Sequence, residues 1–360
     1  GDNYRSDNIY FQPTHASVGR LPVVDASKAR KINNKIARFF DNPPSPATYL
    51  RGIFISDDGD QWVHTRQSQA TLEALREHQP GFTAMQGHTY IYPRKESRCP
   101  EMVDYIAATL KRGAGYFTYS GHGTEQALGL ECFWTDKLAE STLYSVSPLA
   151  MLATCVSYPL DRINNAMADA MVFKEDGGMI GVIAASRSVY LEFNQTLNRA
   201  VAVAYSKAEP GMCYGDLLRI ARNEMLAEGI ESNSAINTMA YNYCGDPALP
   251  IPAPRYGIKV ESINGTAIAA AGDAIAVTPL APLRIKARIT DSEGRTVERF
   301  NGTGLVEVYD GPHIELGRRH DSGDRDSIGE FTIDERLLAE KPVTVRDGFI
   351  DAELVLPEPA

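Results

Sequence analysis

The sequence predicts a parallel α/β domain with helices on both faces, followed by a smaller all-β domain of sandwich type. Three observations carry this. Over residues 47–255 short apolar runs alternate with helical stretches, the pattern of strands joined by crossover helices. Those runs are apolar without alternation, as strands buried on both sides are. A proline-rich stretch, Gly245–Pro254, then gives way to short runs separated by turn signals, which reads as a β-sandwich over residues 256–360.

The elements follow in order. Residues 1–46 form the N-terminal part of the α/β region. In them Ala16–Val23 reads as a short strand ending at a proline. Ser27 to Phe40 places Ile32, Ile36, Phe39 and Phe40 on one side of a helix, and Asp41–Pro46 breaks it. Leu50–Ile55 is a strand, Arg66–His78 a helix, Phe82–Ile91 strand-like and Glu101–Lys111 a helix. Gly115–Tyr119 is a strand that runs into Ser120-Gly121-His122-Gly123, and Ser147–Thr154 is a strand that ends at Cys155. Asn164–Phe173 reads as helix, Gly178–Ala185 as an apolar strand, and helices follow near 191–207 and 215–228. Beyond the linker the strand-like runs are Gly257–Ile263, Leu283–Ile289, Gly304–Tyr309 and Phe349–Leu356, with turns at Asn264-Gly265, Glu293-Gly294 and Asn301-Gly302.

Composition narrows the function. The 360 residues suffice for two domains. A net charge of −10 argues against a nucleic-acid partner, and the basic run Lys28–Lys31 reads as a solvated helix face. No run approaches the roughly 20 apolar residues that span a bilayer. The start, Gly1-Asp2-Asn3-Tyr4, is no signal peptide and reads as a cut within a longer protein. The five cysteines (Cys99, Cys132, Cys155, Cys213, Cys244) form no C-x-x-C and no Cys/His cluster, so no structural zinc site is expected.

One cysteine stands apart from the usual role of a small buried hydrophobe. His122 and Cys155 both follow apolar strands, and ligands of open parallel sheets bind beyond the carboxyl ends of the strands. A histidine there raises the thiolate fraction of a neighbouring cysteine, which then attacks a carbonyl carbon. The glycines beside His122 allow a tight turn and close approach of the backbone to a substrate. The amides of Gly123 and Cys155 are the candidate oxyanion hole.

Tyr119–Gly123, Ala153-Thr154-Cys155 and Gly177–Ser186 together resemble the gingipain-type (C25) cysteine peptidases, whose fold is caspase-like. Gly245–Leu249 resembles the motif that closes their catalytic domain before an immunoglobulin-like module. Val18–Val23, Asp57–Asp60, Arg187–Tyr190 and Phe300–Thr303 are similar to segments of the family's sortase branch, which serves type IX secretion. That resemblance implies cleavage of C-terminal signal domains from exported cargo through a Cys155 thioester. It also implies joining of the new C-terminus to lipopolysaccharide, other secretion components as partners, and a place at the cell surface or outer membrane of a Gram-negative bacterium.

Carried over, Cys155 is the nucleophile and His122 the base. The acid that orients His122 is expected at Asp57, with Asp58 next; both are also ordinary turn residues. The Arg- and Lys-specific members place an acidic S1 group just upstream of a histidine matching His64. Here that spacing falls on Gln61, with Asp60 one position off, which favours the sortase. Trp62 and His64 are candidates to line the substrate groove, and Ser186 and Tyr190 to wall a pocket. The carboxylates of Asp321–Asp326 lack the ligand spacing of an EF-hand and read as an acidic loop. The chemistry calls for no metal and no cofactor. Two alternatives stay open: a free gingipain-like endopeptidase, and a non-catalytic surface module that binds cargo.

Overall fold

The computed structural model describes residues 13–95, 98–161, 166–229, 232–269, 275–317, 329–333 and 336–358. Asp321–Asp326 and Asn164 lie outside the described residues. The chain forms two compact units, 1–253 with 314–331, and 254–313 with 332–360. Of the described residues, 314–317 and 329–331 thus group with the first unit although the sequence places them in the β-rich tail.

The first unit is built on β1 (Arg51–Ser56), β2 (Thr83–His88), β3 (Tyr116–Ser120), β6 (Leu149–Ala153), β7 (Gly181–Ala185) and β8 (Tyr241–Gly245). The short pair β4 (Ala127–Leu128) and β5 (Trp134–Thr135) lies between β3 and β6 in sequence. Sheet order is β2-β1-β3-β6-β7-β8. All neighbours are parallel except β7 and β8. The helices are α1 (Ala26–Asp41), α2 (Pro46–Tyr49), α3 (Val63–His78), α4 (Pro100–Arg112), α5 (Asp136–Ser141), α6 (Met167–Phe173), α7 (Leu191–Ser206), α8 (Tyr214–Ala227) and α9 (Ser232–Met239).

Two cores follow from the period-2 alternation of the strands. Phe54, Tyr116, Leu149, Met151 and Ile183 face α3, α7 and α8, where Leu75, Leu197, Val201 and Leu217 are buried. Ile53, Ile55, Phe117, Ala150, Leu152 and Val182 face the opposite side, with Met102 and Ile106 of α4 and Met167 and Met171 of α6. Every residue of β1, β3, β6 and β7 is buried, which is why these strands read as uniform apolar runs. Local signals set the helix ends. Asp25 caps α1 by accepting from the Lys28 amide, and α4 starts at a proline and stops at Gly113 with φ 93°.

The strand expected at Ala16–Val23 does not form. Arg20 alone bridges Cys244, its amide donating to Tyr243 O and its carbonyl accepting from Gly245. Pro22 has no amide hydrogen to continue the ladder.

In the second unit β9 (Gly257–Ile263), β10 (Thr266–Ala267), β11 (Pro282–Thr290), β12 (Gly302–Tyr309), β15 (Leu337–Arg346) and β16 (Phe349–Val355) pair in one antiparallel sheet. Its order is β10-β9-β11-β16-β15-β12. β16 alternates strictly, burying Ile350, Ala352 and Leu354. The β9–β10 turn places Asn264 and Gly265 at φ 48° and 82°, as an Asn-Gly hairpin requires. The strands β13 (His313–Leu316) and β14 (Glu330–Ile333) form a separate pair.

Candidate active site

Sequence order and sheet order part company at β1, which has β2 on one side and β3 on the other. Such a switch point opens a crevice at the carboxyl ends of the strands. In the parallel ladder Ser56 pairs with Ser120, and Ser120 with Ala153. His122 and Cys155 therefore each lie two residues past a paired position on adjacent strands.

The backbone at His122 is fixed on several sides. Its amide donates to Asp57 Oδ2 at 3.2 Å, and its carbonyl accepts from the Tyr119 hydroxyl at 2.6 Å and the Gly129 amide at 2.9 Å. This close passage explains the flanking glycines. A Cβ on Gly121 would meet Tyr119 Oη at 2.2 Å and Asp57 Cβ at 2.4 Å, and one on Gly123 would meet Thr154 Oγ1 at 2.5 Å.

The carboxylate beside the imidazole is Asp60 rather than the expected Asp57. Asp60 Oδ2 lies 2.9 Å from His122 Nε2, whereas Asp57 serves the His122 backbone. Asp57 is fully buried at the end of β1. Burial and the neighbouring Asp58 charge push its carboxyl up to about 7. Asp58 is also buried and pairs with Arg94 at 3.2 Å; Arg94 also engages Glu131. Neither residue of the expected pair reaches the His122 ring, because both side chains are turned into the protein.

Asp60 gets there through an unusual turn. Asp60, Gln61 and Trp62 take φ of 45°, 53° and 71°, three left-handed non-glycine residues in a row, each costing about 1–2 kcal/mol. The turn is held at Trp62, which stacks on Tyr90 at 3.9 Å and packs on Phe331 at 4.8 Å. Trp62 is only 7% exposed, so the expectation that it contacts substrate is corrected: it anchors the Asp60 turn from beneath.

His64 opens α3 and is buried. Its ring stands edge-on to that of His122, centroids 5.2 Å apart, and its Nε2 is 3.3 Å from Asp60 Oδ2. Burial, then repulsion from His122, lowers its pKa to about 4, against the pull of Asp60. The sequence placed His64 in the groove wall; it instead lies behind the His122–Asp60 pair.

Cys155 is half-buried, with Sγ 3.7 Å from the Val189 carbonyl. The loop bearing that carbonyl is tied down. The Tyr190 amide donates to Asn237 Oδ1 at 2.7 Å, and Asn194 Oδ1 accepts from Asn237 Nδ2 and the Tyr241 hydroxyl at 3.0 and 2.8 Å. Tyr190 itself is 67% exposed, its ring edge-on to Phe193. Ser186 is not: it is buried and its hydroxyl donates to Ala240 O at 2.9 Å, so it supports the wall without offering a polar group.

The sequence model of peptidase family C25 matches residues 2–252. The chain belongs to that family.

Among solved structures, the Arg-specific cysteine proteinase gingipain R is similar over 99% of this chain and 71% of its own, at 11% identity and a TM-score of 0.56. A complex of the pro- and mature domains of RgpB from Porphyromonas gingivalis matches over 98% of this chain and 72% of its own, at 12% identity and a TM-score of 0.53. At these identities the likeness is one of fold. Dimeric latent PorU of Porphyromonas gingivalis matches over 52% of this chain and 17% of its own, at 22% identity and a TM-score of 0.28. No curated protein sequence matches the chain. The family places the first unit among cysteine peptidase folds, and the gingipain-like neighbours fit its mixed, mainly parallel sheet. Among the described residues no helix is long and apolar enough to cross a membrane.

Proposed function

We propose that the chain is a cysteine endopeptidase of sortase type, in which Cys155 is the nucleophile, His122 the base and Asp60 the acid that orients it. One observation carries the reading: a carboxylate sits on His122 Nε2 at a strand tip whose register matches that of Cys155. Donation from Nε2–H to Asp60 leaves Nδ1 with the lone pair that takes the thiol proton. The thiolate attacks the peptide carbonyl carbon, and its oxygen gains the negative charge that the Gly123 and Cys155 amides receive. Collapse breaks the C–N bond, and the leaving amine takes the proton from the imidazolium. The resulting thioester is attacked by an acceptor, which gives a proton to His122 as the thiolate departs. Water as acceptor completes hydrolysis, and an amine on lipopolysaccharide gives transpeptidation.

The sortase assignment rests on the segments Val18–Val23, Arg187–Tyr190 and Phe300–Thr303 and on the absence of an acid at Gln61. It carries with it cargo with C-terminal sorting domains, secretion-system partners and the outer surface of a Gram-negative cell. We read the second unit as immunoglobulin-like, in keeping with its antiparallel strands and the alternation along β16.

Alkylation by iodoacetamide across pH tests the pair. One thiol reacting rapidly below pH 7, lost in Cys155→Ala and slowed in His122→Ala, is the expected result. A Cys155 that behaves as an ordinary thiol, with pKa near ~8.5, would leave the non-catalytic cargo-binding reading. Cleavage of a short-peptide panel without any requirement for a cargo domain would replace the sortase by a free endopeptidase.

A further inference from the structure

The same cluster carries a second property. Asp60 Oδ2 is approached by two imidazole nitrogens, His122 Nε2 at 2.9 Å and His64 Nε2 at 3.3 Å, and the three ligand atoms lie within 4.8 Å of one another. His64 is 2% exposed, its Nδ1 has no hydrogen-bond partner and its Nε2 faces Asp60. A buried imidazole in that condition, aimed at a carboxylate shared with a second histidine, is a ligand set.

We infer that Asp60, His64 and His122 form an inhibitory binding site for a divalent cation of the zinc class. The distances fit such an ion. Metal–ligand bonds of 2.0–2.2 Å in a tetrahedron separate neighbouring ligand atoms by about 3.3 Å, against the observed 2.9 and 3.3 Å. Two imidazoles bound through Nε2 to one tetrahedral ion put their ring centroids ~5 Å apart; here they are 5.2 Å apart, with planes at 81°. Nitrogen donors with one carboxylate suit zinc and its neighbours over calcium or magnesium. Three protein ligands leave a fourth position open to water.

The ion would occupy His122 Nε2 and take Asp60 from it, so the imidazole could no longer be set for proton transfer with Cys155. This consequence rests on the peptidase reading; the binding itself does not.

The test is calorimetric titration of the full chain with zinc chloride. Cys132→Ser, Cys155→Ala and Cys213→Ser are introduced first, because one exposed and two half-buried thiols would bind zinc on their own. One equivalent is expected, weakened at least ~10-fold by His64→Gln and by Asp60→Asn, given that even indirect supports of a metal ligand are worth about that much. Cobalt(II) in place of zinc should give the visible absorption of a tetrahedral ion. Circular dichroism establishes that each variant is folded. Asp60 is partly exposed, so Asp60→Asn decides the matter if His64→Gln does not fold. Absence of stoichiometric binding, or binding indifferent to both substitutions, overturns the site and leaves a hydrogen-bonded His–Asp–His array. If alkylation shows Cys155 to be an ordinary thiol while zinc binds as described, the peptidase reading falls and the metal site stands.

Discussion

Asp60→Asn separates the two acids that compete for the role of orienting His122. The substitution keeps the side-chain shape and removes the charge that lies 2.9 Å from His122 Nε2. Opposite charges at that distance attract by about 1.4 kcal/mol at the dielectric of water, and by several times more in a protein interior. The His122 and Asp60 side chains are 38% and 43% exposed, so the lower end applies. A charge-assisted hydrogen bond adds to the same scale, giving about 1.5–2 kcal/mol of support for the imidazolium that forms as Cys155 loses its proton. At 1.36 kcal/mol per decade, the rate of Cys155 alkylation near neutral pH, and kcat/KM on a cargo substrate, should fall about 10–30-fold. Thermal stability should change by less than ~0.5 kcal/mol, as for a surface substitution. Asp57→Asn is the control. Asparagine retains an oxygen to accept from the His122 amide, so the rates should stay within about threefold of the parent chain, about 0.6 kcal/mol. Alkylation rates within threefold for Asp60→Asn and tenfold lower for Asp57→Asn would refute the assignment, since the buried acid would then govern the imidazole.

Other outcomes follow from the same geometry. Asp57 is raised from 3.8 to about 7 in the fold. Its contribution is therefore fully present below pH ~4 and is lost as pH rises through about 7. Urea melts should show Asp57→Asn relieving up to roughly 3–4 kcal/mol of that loss at pH 8, and an Asp57→Asn chain that gains nothing on the parent between pH 4 and pH 8 would count against the burial argument. His88 has the opposite sign: burial lowers it to about 3, so its stability is present above pH ~6.5 and lost as pH falls through about 3. His88→Gln should flatten that acid arm in the same melts. Gly121→Ala must displace Tyr119 or Asp57 and should cost about 1–3 kcal/mol and slow alkylation of Cys155. Trp62→Ala removes the anchor of the Asp60 turn and should cost about 3–5 kcal/mol in denaturant melts.

Much of this was legible in the sequence, for physical reasons. The strands of the first unit are buried on both faces, so their apolar runs and the helices between them declared a parallel sheet. Gly121 and Gly123 read as a tight turn with room for a substrate, and the close passage the structure adds is against Tyr119, Asp57 and Thr154. Asn264-Gly265 declared its hairpin. β8 was missed because its tyrosines and Asn242 do not form an apolar run, although Tyr241 and Tyr243 are buried. The grouping of residues 314–317 and 329–331 with the first unit is a long-range contact that no local pattern records. Asp60 was missed for a sharper reason. Left-handed backbone is written in sequence as glycine, asparagine or aspartate; Gly59 and Asp60 fit that signal, but Gln61 and Trp62 carry none of it. The i,i+4 spacing of Asp60 and His64 is the signal that could have found it.

The cost of that turn explains why Trp62 is buried beneath an active site when its neighbours are exposed. Three left-handed residues store about 3–6 kcal/mol. A tryptophan buries 150–250 Å², and at 25 cal/mol per Å² this returns about 4–6 kcal/mol, enough to offset the strain. The turn that presents Asp60 to His122 is thus held by the packing of Trp62 against Tyr90 and Phe331. Gly317 and Gly329 lie against the Trp62 ring, where an added Cβ would approach to 2.3 and 3.1 Å. At these two positions the ring leaves no room for a side chain. Phe331→Ala should then lower the rate of Cys155 alkylation without touching His122, Asp60 or Cys155, and a Gln61→Gly substitution in that background, by making the left-handed turn inexpensive, should restore it in part. Recovery would locate the effect in the backbone of the turn. If Phe331→Ala slows alkylation and Gln61→Gly leaves it slowed, Phe331 acts on the site by some route other than strain.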